Sequence, residues 1–161
     1  LEHSARELLL LQDARFQKPK GPRAPGEVLF VDGTRTCHIN IKSVDHSKDF
    51  HMPNLISVDN LYRIFKQDDD FFLLIISHSD GHLLDKVFVD IKEVHWNSLR
   101  LAALGTGQIQ IKDSSKPLER WQGDAKSWYE RLCQEVIHFY EREKIKLERR
   151  ITTWASRRAS V

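Results

Sequence analysis

Pro25-Gly26-Glu27-Val28-Leu29-Phe30-Val31-Asp32-Gly33, followed by Thr36-Cys37-His38-Ile39-Asn40-Ile41-Lys42-Ser43, is the stretch that decides the fold. A short apolar run opens at Glu27, Asp32-Gly33 is a strong hairpin signal, and residues 36–43 alternate as a returning strand. Alternation puts Cys37, Ile39 and Ile41 on one face and His38, Asn40 and Lys42 on the other. Glu27, early in the first strand, and Asn40 and Lys42, late in the second, become neighbours. The hairpin therefore gathers a carboxylate, an amide and a cation at one end of a sheet.

Before the hairpin, Ser4 with Glu7 is a capping-box pattern and predicts a helix over 4–15. Residues 17–26, rich in proline and glycine, form a loop. After it, Leu55, Val58, Leu61, Tyr62 and Phe65 recur at helical spacing and predict a helix over 54–66. Phe71 to Ser77 reads as a buried central strand. Ser79-Asp80-Gly81 turns into a further strand around 86–94, Leu99 to Leu104 fits strand or helix, and Gln108 to Lys112 alternates as one more strand. From Asp124 a long helix runs to the end, with a break expected near Glu143. The order predicts a mixed α/β or α+β sheet flanked by helices, as one domain over 1–161.

Composition narrows the function. At 161 residues with 40% apolar and 30% charged residues, the chain is neither disordered nor fibrous. Its longest apolar run, Phe71 to Ile76, is far too short for a membrane span. Two cysteines, Cys37 and Cys133, fit a reducing cytoplasm. Eight histidines show no tight ligand spacing, although His78 and His82 flank a turn and could meet. No Ser-His-Asp arrangement is arguable from spacing. The net charge of +2 argues against nucleic acid until it is split: residues 15–23 carry four basic groups and no acid, and residues 142–161 carry seven basic against two acidic. The far end of the last helix, with Ile151 and Trp154, runs beyond what a small sheet can cover and suggests a partner surface.

An acid with an adjacent amide oxygen and a lysine suits phosphodiester hydrolysis, in which a divalent cation activates water and neutralises phosphate charge. Taken alone the pattern also describes a solvated strand face. The chain resembles the restriction-type PD-(D/E)xK nucleases, and in particular type II restriction endonucleases like HincII. Segments 25–31, 39–43, Met-Pro-Asn-Leu-Ile-Ser (52–57), Gly-Gln-Ile-Gln-Ile (107–111) and Ala-Lys-Ser-Trp-Tyr (125–129) carry the likeness. It implies a restriction-endonuclease-like fold, Mg²⁺ with Mn²⁺ as substitute, and site-specific cleavage of double-stranded DNA by a homodimer in a prokaryotic cytoplasm. Those enzymes are longer at the N-terminus, so a front portion is expected to be missing or never to have existed here.

Carried over, Glu27, Asn40 and Lys42 are the expected catalytic residues, and Glu27, Asn40 and the Ile41 carbonyl the expected metal ligands. Asn40 is the main departure, because the family usually has an acid there, while Glu27 stands where its usual residue is Asp. Glu7, Asp45 and Asp49 are candidate compensating acids. The regions 45–54 and 105–112 would face DNA, through Ser43, His51, Asn54, Gln108, Gln110 and Lys112. Asn and Gln suit adenine edges, although Asn54 is also placed to cap the following helix. Two other functions stay open: a DNA-binding domain with an impaired site, and a protein-interaction module built on the last helix.

Overall fold

Phe71 to Ile76 is apolar at every position because both faces of its strand are covered. In the computed structural model, which describes residues 1–21, 25–48, 53–103 and 106–159, this run lies in β5 (Asp70–Ser79). β5 belongs to a mixed five-stranded sheet of order β1-β2-β3-β5-β6, formed with β1 (Phe16–Gln17), β2 (Val28–Asp32), β3 (Arg35–Asp45) and β6 (His82–Asp90). β3 and β5 pair in parallel and the other neighbours pair antiparallel. Phe72, Leu74 and Ile76 join Val28, Ile39 and Ile41 beneath Ala5, Leu9 and Leu10 of α1 (Glu2–Gln12). Phe71, Leu73 and Ile75 face the larger core on the opposite side.

That larger core is closed by α2 (Val58–Lys66), by α3 (Ala125–Ala159) and by a second, antiparallel sheet of order β4-β8-β7. Its strands are β4 (Asn54–Ser57), β7 (Leu99–Ala102) and β8 (Gln108–Ile111). Trp128 of α3 is fully buried and donates from Nε1 to the Val94 carbonyl at 2.8 Å. An indole N–H left unpaired there would cost its full desolvation, so this bond fixes where α3 docks.

The expected mixed sheet, flanking helices and long C-terminal helix are all present. Several boundaries differ. α1 begins at Glu2, before the Ser4–Glu7 box, and Leu1 at its cap makes no side-chain cap bond. The hairpin turns at Gly33-Thr34, one residue later than expected, because Asp32 still pairs with Arg35. The expected helix over 54–66 is split: Asn54–Ser57 is strand, and the Ser57 side chain accepts from Asn60 N to cap α2. Ser57, not Asn54, is thus the cap.

Leu99–Ala102 resolves as strand, and β6 starts at His82, earlier than the expected strand near Lys86. The Asp80-Gly81 turn is as expected, with both residues at positive φ as a tight hairpin requires. The break expected near Glu143 is absent. Neither proline nor glycine interrupts 125–159, and ion pairs Lys146–Glu143 and Lys144–Glu148 brace that region.

Candidate active site

Glu27 is placed by the glycine before it. Gly26 has φ +80, and a Cβ there would sit 3.2 Å from the backbone N and O of Ile39. Only glycine lets the chain lie this close to β3. Glu27 N then donates to Ile39 O at 2.7 Å, just beyond the paired Val28–Ile39 step. His38 grips the same corner, with Nδ1 3.1 Å from the Pro25 carbonyl.

Glu27, Asn40 and Lys42 come together on one face of the sheet, the face turned toward the second sheet. Lys42 Nζ donates to Glu27 Oε1 at 3.0 Å, both side chains being mostly covered. Asn40 is 7% exposed and donates from Nδ2 to the Leu55 carbonyl at 2.8 Å. A carbonyl can only accept, so the amide orientation is fixed and Oδ1 points away from β4. Oδ1 is buried and has no hydrogen-bond partner among the described residues. An orphaned buried oxygen on the same strand face as a carboxylate is a place for a cation or a donor.

The Ile41 carbonyl has the same outlook. Ile39 O accepts from Glu27 N, and Ser43 N donates to Glu2 Oε1 at 2.7 Å. Backbone groups two residues apart in a strand aim the same way, so those of Ile41 are directed at this open edge as well. Glu27, Asn40 Oδ1 and the Ile41 carbonyl would make an all-oxygen donor set with a single negative charge. Such a set fits a hard dication that keeps several waters, as Mg²⁺ does. Among the described residues no group of three or more His, Cys, Asp or Glu side chains could hold a metal, so the backbone and amide oxygens would have to contribute.

The compensating acids turn out differently from expectation. Glu7 is engaged with Arg6 and Lys18. The Asp45 carboxyl is held down to about 2, chiefly by the Ser47 hydroxyl, and also receives Lys48. Asp49 lies outside the described residues. The acid that does reach the edge is Glu2, through its bond to Ser43 N. Sequence reading missed it because it precedes the supposed cap and meets a residue 41 positions away.

Of the residues expected at DNA, Ser43 is engaged within the protein: its Oγ lies 2.9 Å from His78 Nε2. His78 Nδ1 in turn lies 3.8 Å from Asp45 Oδ1, beyond hydrogen-bond reach, and has no hydrogen-bond partner among the described residues, so Ser43, His78 and Asp45 are not linked as a relay. Glu2 sits on the Ser43 N–H, where an acyl oxyanion would need a donor, so the trio does not form a nucleophile site. His78 and His82 bracket the β5–β6 turn, and among the described residues neither belongs to a group of three or more His, Cys, Asp or Glu that could hold a metal. Asn54 and Gln110 are directly bonded, Gln110 Nε2 to Asn54 Oδ1 at 2.6 Å. Gln108 lies on the same face of β8 as Gln110, half-buried. Lys112 is exposed just past β8, its N–H tied to Ser98 O. His51 and Gly105 lie outside the described residues.

No family model matches this chain, and no curated protein matches it. Among solved structures it is similar to Hjc of Archaeoglobus fulgidus, described as a Holliday junction resolvase from an archaeal hyperthermophile. The identity is 14%, over 68% of this chain and 88% of that one, with a TM-score of 0.37. A likeness at that score carries neither fold nor function across.

Proposed function

We propose that this protein is a divalent-metal-dependent endonuclease of the PD-(D/E)xK type, acting on double-stranded DNA as a site-specific, restriction-type enzyme. The observation that carries the reading is the Glu27–Lys42 pair on the same covered face as the Asn40 oxygen, which has no hydrogen-bond partner among the described residues. Glu27, Asn40 and the Ile41 carbonyl would hold Mg²⁺ or Mn²⁺. When bound, the cation supplies Lewis acidity toward the phosphate and the attacking water. Lys42 exchanges its hold on Glu27 for the substrate and presents an ammonium to charge that develops on the phosphate. Gly26 and His38 keep the Glu27 corner rigid, and the Leu55 carbonyl keeps the Asn40 oxygen facing the site. A single domain in a prokaryotic cytoplasm belongs to the same proposal. It is supported by two free cysteines, and no helix among the described residues is long and apolar enough to cross a membrane.

Incubating plasmid with Mg²⁺ or Mn²⁺ is expected to give nicked and linear products, with none in excess chelator. Sequencing the ends is expected to return one discrete sequence. Undiminished cutting in chelator would refute the metal mechanism, and scattered ends would refute site specificity. The uncharged Asn40 favours one second reading, a DNA-binding domain with an impaired site. Salt-dependent binding without any cutting is its signature.

The homodimer proposal draws on α3. Ile137, Tyr140, Leu147, Ile151 and Trp154 are all exposed and, with Lys144 between them, fall at alternating steps of three and four residues. That is a coiled-coil seam without its partner. Parallel pairing would set Glu143 against Glu148, whereas antiparallel pairing sets Glu143 opposite Arg150 of the second copy. Light scattering is therefore expected to give twice the 18.9 kDa chain mass. Ile151→Glu with Trp154→Glu should give a folded monomer, since both side chains are about two-thirds exposed and contribute little to the fold. A wild-type monomer at tens of micromolar, roughly the range where weak dimers with Kd near 1 μM are well populated, would overturn the dimer.

A further inference from the structure

Across the outer face of the second sheet, Arg100, Gln110 and Asn54 stand in register, one on each strand. Arg100 Nε donates to Gln110 Oε1 at 2.8 Å, and Gln110 Nε2 donates to Asn54 Oδ1 at 2.6 Å. Gln110 is 6% exposed while Arg100 and Asn54 are open to solvent.

The chemistry of this chain has one direction. A guanidinium can only donate, so Gln110 must turn its oxygen toward Arg100. Its NH₂ is then committed to Asn54, which must present Oδ1 inward. What remains outward is the Asn54 NH₂ at one end and the two Nη groups of Arg100 at the other, all of them donors. The ends are about 10 Å apart, two strand spacings. No further partner for either group is found among the described residues.

We infer that Arg100, Gln110 and Asn54 form a donor-only ladder that grips backbone phosphate oxygens of a nucleic-acid duplex beside the Glu27–Asn40–Lys42 site. An adenine edge needs a donor and an acceptor from one side chain, so the ladder does not suit it. Phosphodiester oxygens are acceptors throughout and carry the charge that Arg100 matches. The placement is apt, because Leu55, next to Asn54, is the residue whose carbonyl holds Asn40. The buried Gln110 has no contact to make with DNA; it is a positioning residue that polarises both ends. The inference rests on the nuclease reading and says where the substrate backbone is held.

The test measures anisotropy of a labelled mixed-sequence duplex over a series of KCl concentrations in chelator, alongside Mg²⁺-dependent plasmid cleavage. Arg100→Ala is expected to weaken binding about 10-fold and to lower the log–log salt slope by about one, equally for duplexes of different sequence. Asn54→Asp still accepts from Gln110 but offers an anionic oxygen outward, and should lose a similar factor. Gln110→Met keeps the charge and is expected to retain the salt slope while losing affinity, because both ends lose their orientation. Circular dichroism melts identify any variant that fails to fold, and Arg100 and Asn54, being exposed, supply variants that should not. Unchanged affinity and slope in Arg100→Ala and Asn54→Asp would overturn the ladder while leaving the nuclease reading intact. A loss confined to duplexes with guanine at fixed positions would overturn the phosphate assignment. Ladder-dependent binding without cutting would keep the ladder and sink the nuclease, and no salt-dependent binding by the wild type would sink both.

Discussion

Lys42→Ala is expected to lose the proposed metal-dependent cleavage: the single-turnover rate should fall by about 10²–10⁴-fold, the range that one positioned proton-transfer or charge-stabilising group supplies. The side chain ends in an ion pair to Glu27, the one it makes among the described residues, and is mostly covered. Removing it frees Glu27 toward a cation, so metal binding should survive or tighten while turnover collapses. Lys42→Arg should not rescue, since a planar fork cannot occupy the place of a compact ammonium. Duplex affinity in chelator should stay within about 3-fold of wild type, because at most one phosphate contact is at stake. Comparing rate, metal dependence and affinity in the same variant separates a catalytic lysine from a structural one. Full activity in Lys42→Ala would remove this site from the mechanism.

What the sequence made legible follows the two periodicities. The hairpin over 28–45 and the two-faced run of β5 are visible because alternation and turn chemistry are local. Asn54 to Ser57 departs from the helix its spacing predicts, for a physical reason. Leu55, Val58 and Leu61 fit a helical stripe, yet Leu55 and Ile56 are both buried on an irregular strand that ends at its own Ser57 cap.

The candidate site was legible as far as the hairpin reaches, which is Glu27, Asn40, Ile41 and Lys42. Glu2 and the Arg100–Gln110–Asn54 ladder were not, since their partners come from strands and helices whose register no local pattern encodes. The uninterrupted α3 shows the converse: a weak break in an apolar stripe is not a break in the backbone when nothing removes an N–H.

Asn40→Asp tests the position where an amide stands in place of the expected acid, and its outcome differs with and without metal. In chelator the new side chain loses the N–H that met Leu55 O at 2.8 Å and sets an anionic oxygen against that carbonyl in a nearly closed site. The expected cost is about 2–4 kcal/mol, which for a chain of this size lowers the melting temperature by about 5–15 °C. Burial pushes the introduced carboxyl above the usual carboxylate range. Its protonated form can donate to Leu55 O as the amide does, so the deficit should be small near the unfolded pKa and grow as pH rises through the folded one. Melts in chelator at pH 5 and pH 8 are expected to show the wider gap from wild type at pH 8. Saturating Mg²⁺ should close that gap in Asn40→Asp by about 3 kcal/mol at a hundredfold excess over its Kd and move wild type far less, because wild type offers a single carboxylate. If the protein is a nuclease limited by its missing acid, cleavage rises together with this metal-induced stabilisation. Stabilisation by Mg²⁺ without a gain in cutting would instead assign the fold to binding DNA, with Asn40 holding the metal site half-charged.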